Sequence, residues 1–436
     1  MDSTLFNRQR LAKLLFIVWA GGAALLSYTL VYALRKPFTA VTFDGLEFMG
    51  MDYKTSATVI QIAGYLIAKL LGIKLISELE RKRRLPFIVG SVVLAEASLL
   101  LFAFCPAPYN VLVLFLNGLS LGCMWGVIFS FLEGRRISGI LASIMGVSIA
   151  FSSGLAKSVA LFVMNDLGVD PFLMPAVIGG VALVLLLLLA FALDRLPEPD
   201  EDDVRHCTQR VPMDGRRRKE IFLRFAPLLV LLFVGNLFIT IIRDIKEDFL
   251  VNLVDTTRFS SWAISGVEGV VTLLILGLLL TVSLVRNHRR VLNTVLLLAI
   301  AGLFGLVLVA SMYDTLHLSP LNWLFCQSLG LYIAYLSFQT IFFDRFVACY
   351  GINGNVGFFI ATIDFIGYLG TVGVLVFKEL ATGSMQWMEF YNTLVIVLGS
   401  ASCLLLALSG LGIAYYSRRR RRSSGMVPTV SVSMHS

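Results

Sequence analysis

A small set of ionisable side chains stands inside long apolar runs of this sequence. The basic members are Arg35, Lys69, Lys74, Lys157 and Arg243; the acidic ones are Glu96, Asp244, Glu268 and Asp364. Each costs on the order of 2.5–3.5 kcal/mol at the centre of a membrane helix, so each is a functional candidate by default. Guanidinium groups bind phosphate or carboxylate through two parallel hydrogen bonds, which makes Arg35 and Arg243 candidates for holding an anion. Lys69 and Lys157, both deep in their runs, are candidate accessory cations. An unpaired buried carboxyl usually takes up a proton. Glu268 and Asp364 are therefore expected either to carry protons or to pair with the lysines. The plainer alternatives are snorkelling of Arg35 and Lys74 to the interface, an interfacial ion-pair cluster of Arg243, Asp244, Lys246 and Glu247, and a neutral, hydrogen-bonded Glu96.

Spacing sharpens this list. Tyr28, Tyr32, Arg35 and Thr39 stand at i, i+4, i+7 and i+11, one face of a helix. Asn236, Thr240, Arg243 and Glu247 repeat that spacing, as do Ser328, Tyr332, Tyr335 and Gln339. A polar stripe on a membrane helix turns toward a water-filled cavity or a partner helix, so Tyr32, Tyr335 and Gln339 are expected to shape a cavity. Gly118, Gly122 and Gly126 form a ladder of small residues suited to close helix packing.

The elements that carry these residues follow from composition. The chain has 436 residues, 57% of them hydrophobic and 15% charged, against roughly 25% charged in soluble domains. Its mean hydropathy is +0.83. Such a chain is not a soluble enzyme, a disordered protein or a disulfide-stapled secreted domain. A bilayer core of about 30 Å needs roughly 20 apolar residues of helix. Runs of that length are predicted at 14–34, 56–76, 86–104, 109–132, 138–164, 172–193, 223–242, 262–285, 291–312, 321–343, 354–377 and 391–416. They are continuous, without the alternation of barrel strands. The first reads as an uncleaved anchor.

Most of the 36 basic residues fall in alternate connections, from Arg8, Arg10 and Lys13 through Arg81–Arg84, Arg135 and Arg136, Arg286, Arg289 and Arg290, to Arg418–Arg422. The positive-inside rule then puts both termini in the cytoplasm, in a plasma (inner) membrane. The net charge of +8 is thus topology and lipid contact rather than nucleic-acid binding. The six cysteines have no metal-ligand spacing, and His206 with Cys207 is a poor metal site. No Walker loop, HExxH or Gly-x-Ser-x-Gly motif is present, so neither an enzyme nor a cofactor is expected.

The predicted class is an all-α integral membrane protein of twelve transmembrane helices in two pseudo-symmetric six-helix bundles. Residues 1–194 form the first bundle, 195–222 a charged cytoplasmic linker, 223–417 the second bundle and 418–436 a basic cytoplasmic tail. The stripe containing Arg243 is the stripe containing Arg35 displaced by 208 positions, as an internal repeat requires.

This plan resembles the major facilitator superfamily. The loops ELERKRR and VRNHRR resemble that superfamily's basic 2–3 and 8–9 loops, although its Gly-x-x-x-Asp-Arg-x-Gly signature is degraded, with Ile76 four residues after Gly72. LPEP at 196–199 is similar to the Pro-Glu sequences that follow span 6. Within the superfamily, YALRKPF, GYLIAKLLG and FITIIRDIKEDF resemble segments of the organophosphate:phosphate antiporters. The resemblance implies that Arg35 and Arg243 are paired phosphate-binding arginines and Lys69 an accessory cation. The branch's span 5 histidine is unmatched; Ser148 stands there. The expected function is secondary transport of a small organic or phosphorylated anion by alternating access, as a monomer in a lipid bilayer. The alternatives are proton-driven efflux of a neutral or cationic compound with Asp364 as the essential acid, and a non-transporting membrane sensor with the same fold.

Overall fold

The computed structural model describes residues 3–135, 137–199, 203, 215–285, 287–350, 356–382 and 385–424. Arg136, Arg286, His206, Cys207, half of the 195–222 linker and residues 425–436 of the tail lie outside the described residues. Among the described residues, twelve helices are long and apolar enough to cross a membrane. They are α1 (Leu14–Arg35), α2 (Tyr53–Gly72), α3 (Arg81–Phe104), α4 (Tyr109–Ser130), α5 (Ser138–Asn165), α6 (Met174–Asp194), α7 (Lys219–Asp248), α8 (Ala263–Val282), α9 (His288–Ser311), α10 (Pro320–Tyr350), α11 (Phe359–Ala381) and α12 (Trp387–Tyr416). Large apolar side chains such as Leu71, Val181, Leu188, Leu273, Phe304 and Leu411 stand exposed along them. On helices of this length, such exposure marks surface that faces lipid. The chain is an integral membrane protein.

The packing pattern repeats with a shift of six helices. In the first half α1 packs on α5 and α6, α2 on α4, and α3 on α4 and α6. In the second half α7 packs on α11 and α12, α8 on α10, and α9 on α10 and α12. Two seams join the halves, α2 against α11 and α5 against α8, and the same shift converts one seam into the other. Close approach of α2 and α4 depends on glycine. A Cβ on Gly64 would overlap the Phe115 carbonyl, one on Gly118 the Gln61 carbonyl, and one on Gly122 would lie 2.8 Å from the Tyr65 carbonyl.

One boundary of the hydropathy reading and one polar stripe are changed where the site is built. The seventh apolar run was expected to end at 242, yet its helix continues to Asp248. Arg243, Asp244, Lys246, Glu247 and Asp248 are each at most 3% exposed, because ion pairs within the protein replace water around them. Conversely, α1 stops at Arg35. Pro37 cannot continue the hydrogen-bond ladder, and the chain turns into a short 3-10 segment over Pro37–Ala40. Thr39 therefore leaves the stripe begun by Tyr28, and its hydroxyl donates to the Lys36 carbonyl at 2.7 Å. At the same end of the bundle, Glu47–Phe48 (β1) pairs antiparallel with Met51–Asp52 (β2). This is called the hairpin end below.

Candidate functional site

Side chains from α1, α2, α4, α5, α7, α10 and α11 enclose a narrow cavity between the halves. Its walls are Tyr28, Tyr32, Tyr65, Lys69, Trp125, Ile149, Arg243, Tyr335, Gln339, Asp364 and Tyr368. The free volume is about 20 Å³, room for a water molecule and little more. Three of the four residues in the α10 stripe reach polar partners in or beside it. Tyr332 Oη donates to Glu247 Oε1 at 2.9 Å, Tyr335 lies under the Arg243 guanidinium, 4.2 Å from ring centroid to Cζ, and Gln339 Nε2 donates to Asp364 Oδ1 at 2.7 Å. Gln339 sits in a π-helical turn, Ser337–Phe342. Single π turns re-aim side chains and recur at functional sites. A larger recess of about 240 Å³ lies between α7 and α11, but it is lined by Phe222, Val230, Phe233, Val234, Thr362 and Ile366 and offers no charge to a solute.

The predicted cations have unequal surroundings. Arg243 donates from Nε to Asp244 Oδ1 at 3.0 Å and also from Nη2; its Nε is 3.8 Å from Glu247. Thr371 Oγ1 donates to the other Asp244 oxygen at 2.8 Å. Lys69 pairs with Asp364 across the α2–α11 seam. Arg35 has no ion-pair partner among the described residues, and its Nε has no hydrogen-bond partner, although the residue is 4% exposed. Its guanidinium lies behind the cavity wall, 4.0 Å from the Tyr65 ring centroid and 5.7 Å from that of Tyr368. Tyr65 and Tyr368 are themselves in edge contact, with centroids 5.0 Å apart. Stacking on aromatic faces partly offsets desolvation of a cation, by roughly 2 kcal/mol, much less than burial costs.

Lys157 and Glu268 stand apart from the cavity walls. Lys157 Nζ donates to Ser153 Oγ of its own helix at 2.8 Å. Glu268 Oε1 accepts from Lys246 at 2.9 Å, and Lys246 also donates to Ser328 at 2.7 Å. Glu96 is buried between α3 and α6 with Oε2 unpartnered, away from these groups.

Sequence reasoning missed a set of polar contacts at the hairpin end. Lys36 pairs with Asp248, joining the first half to the second. Lys54 donates to Asn252 at 2.6 Å. The Asp52 amide and the Thr55 hydroxyl each donate to Glu379 at 3.2 Å. Lys36 and Asp248 look like interfacial charges in a hydropathy plot. Their one signal was position, immediately after the stripes of α1 and α7. Tyr65 was also missed, although it precedes Lys69 by four positions and so shares its helix face.

Residues 37–419 match the family described as Family of unknown function (DUF5690). The chain belongs to that family. No curated protein matches it in sequence. Among solved structures it is similar to a mutant of the nucleoside transporter NupG, with TM-score 0.59 and 15% identity over 91% of this chain and 99% of that one. It is also similar to a D-xylose–proton symporter, with TM-score 0.59 and 14% identity over 90% and 96%. An auto-inhibited POT family peptide transporter gives TM-score 0.56 and 15% identity over 93% and 96%. At these identities the likeness establishes the fold, the twelve-helix arrangement of major facilitator transporters.

Proposed function

We propose that this member of the family is a secondary transporter for a small organic or phosphorylated anion, bound between residues 1–194 and 223–417 as those two bundles rock about the cavity. The observation that carries the reading is Arg35. It is a permanently charged group, almost wholly buried and without a carboxylate partner among the described residues, beside a cavity that joins both halves. A bound anion removes that penalty, and only a ligand with differential affinity for two states can shift their balance. Arg243, whose own carboxylates already balance it, orients the ligand; Lys69 assists when it is released from Asp364. Tyr32, Tyr335 and Gln339 shape the wall. The abundance of tyrosine there suits a compact ring or chain carrying one anionic group. Fold kinship with transporters for a nucleoside, a sugar and peptides supports movement of a solute rather than sensing or catalysis. Efflux of a cation is less well supported, because Asp364 is held by Lys69 and Gln339. In this reading the protein works as a monomer in the plasma membrane with both termini cytoplasmic.

The test is a thermal-shift screen of purified protein against phosphate esters, carboxylates and neutral sugars. Stabilisation by one class of anion, lost in Arg35→Gln, is expected. Stabilisation by neutral sugars alone, or an anion response that survives in Arg35→Gln, overturns the reading.

A further inference from the structure

Three lysines crowd into a buried layer between the halves at the hairpin end, and among the described residues only one of them is bonded to a carboxylate. Lys36, Lys54 and Lys157 are 3%, 0% and 1% exposed. Packing brings their elements together. α5 lies on the 3-10 segment Pro37–Ala40, with Ala160 and Val163 in one apolar cluster with Ala40, and the helical turn Leu250–Leu253 of the second half touches the same segment. Lys36 pairs with Asp248, itself 2% exposed. Lys54 reaches into the second half, where Nζ donates to Asn252 Oδ1 at 2.6 Å and lies 5.4 Å from the Phe249 ring centroid. Lys157 Nζ donates to Ser153 Oγ of its own helix at 2.8 Å. The Lys54 and Lys157 ammonium groups are near enough to repel each other, and Lys36 repels Lys157 as well. The other carboxylates near these two are engaged: Glu268 by Lys246, Glu247 by Tyr332 and Arg243, Asp52 by the amide and hydroxyl of Thr55, and Asp44 by Thr42.

An ammonium group carries three N–H donors, and Lys54 and Lys157 each spend one on a neutral oxygen. A buried charge answered only by neutral dipoles is costly. Two of them in one layer of low dielectric constant add their mutual repulsion. An anion held between them offsets both costs and takes up the remaining donors. The kind of anion follows from the side chains. Arg35 offers a planar fork that matches two oxygens of a phosphate or carboxylate, whereas a lysine is a compact point charge with no such fork. Two lysines suit a spherical ion, which accepts N–H groups from any direction. Asn252 adds to the set, because its amide nitrogen carries two more donors beside the oxygen that Lys54 uses.

We propose that Lys54, Lys157 and the Asn252 amide form a buried site for one halide ion at the hairpin end, separate from the cavity beside Arg35. Lys54 and Lys157 belong to the first half and Asn252 to the second, so the bound ion ties the halves together and stabilises the fold. The site does not depend on which solute the central cavity takes, nor on whether that solute is an anion.

The experiment is thermal unfolding of the purified full chain as sodium methanesulfonate is replaced by sodium chloride or sodium bromide at constant ionic strength and pH. The wild-type protein should gain a few degrees, and the gain should saturate, as binding to the folded state alone requires. Lys54→Met and Lys157→Met should each lose the halide response. Without halide, Lys157→Met should unfold at or above the wild-type temperature, because it relieves the repulsion. Arg35→Gln should keep the full halide response, so failure of the anion-transport reading and failure of this one are told apart. A wild-type protein indifferent to halide overturns the proposal, as does a halide response that survives in both lysine variants, which would be a general salt effect. A response to sulfate or phosphate but not to chloride or bromide also overturns it, since the lysines would then hold an oxyanion. If neither lysine variant folds, anomalous scattering from wild-type crystals grown in sodium bromide decides. A bromide within hydrogen-bond reach of both Nζ atoms is expected, and anomalous density elsewhere but not there overturns the assignment.

Discussion

Arg35 and Arg243 are equivalent by sequence spacing and unequal by environment, and that difference is measurable. Removing one member of a buried ion pair leaves an uncompensated charge and costs about 3–5 kcal/mol. Arg243→Gln strands Asp244 and Glu247, so its thermal unfolding in detergent should move down accordingly, with Arg243→Gln/Asp244→Asn recovering part of the loss. Arg35→Gln removes a buried charge that has no partner, and its unfolding temperature should stay level or rise. Lys69→Met and Asp364→Asn should each destabilise, and together should cost less than the sum of the two, as for groups in contact. Additive losses would show that Lys69 and Asp364 are not energetically coupled. The stripes that flagged these residues were legible because side chains at i, i+4 and i+7 must share a helix face. Their partners were not. Lys69 meets Asp364 across 295 positions and Lys36 meets Asp248 across 212, separations that no local pattern encodes. Which arginine would lack a carboxylate depended on those meetings.

Hydropathy located all twelve helices because a bilayer imposes their length. It misplaced ends wherever polar residues are paired inside the protein, as over Arg243–Asp248, and it could not anticipate the π turn at Ser337–Phe342. The hydroxyls of Ser337 and Thr340 donate to the carbonyls four residues back, at 2.6 and 2.7 Å, a pattern that bends helices. The expected ladder of small residues finds its partner in α2, where Gly118 and Gly122 meet the backbone of α2. Gly118→Ala would drive a methyl group into the Gln61 carbonyl, and overpacking of this kind costs about 1–3 kcal/mol. Lower unfolding temperature is expected for Gly118→Ala and no change for Gly22→Ala, whose surroundings leave open space. Equal behaviour of the two variants would contradict close α2–α4 contact.

At the scale of the whole molecule, the polar links between the halves cluster toward the hairpin end, from Lys36–Asp248 and Lys54–Asn252 to Thr55–Glu379 and Ser158–Ser265. The central cavity is closed down to a water-sized space. The structure thus has its hairpin end fastened. Asp248→Asn removes the anion from that fastening and leaves Lys36 buried and unpaired. A cysteine placed at Ile149, on the cavity wall, should then react severalfold faster with a membrane-impermeant maleimide supplied from the hairpin side. An unchanged rate would mean that Lys36–Asp248 does not hold this end shut.

The central claim is that an anion bound beside Arg35 is carried between the two halves. Its most direct measurement is counterflow in proteoliposomes loaded with the best-stabilising anion of the thermal-shift screen, with labelled anion outside and no pH gradient. The wild-type protein should accumulate label transiently, and Arg35→Gln, equally well incorporated, should not. Accumulation by Arg35→Gln at the wild-type rate, or none by the wild type with any stabilising anion, would contradict it.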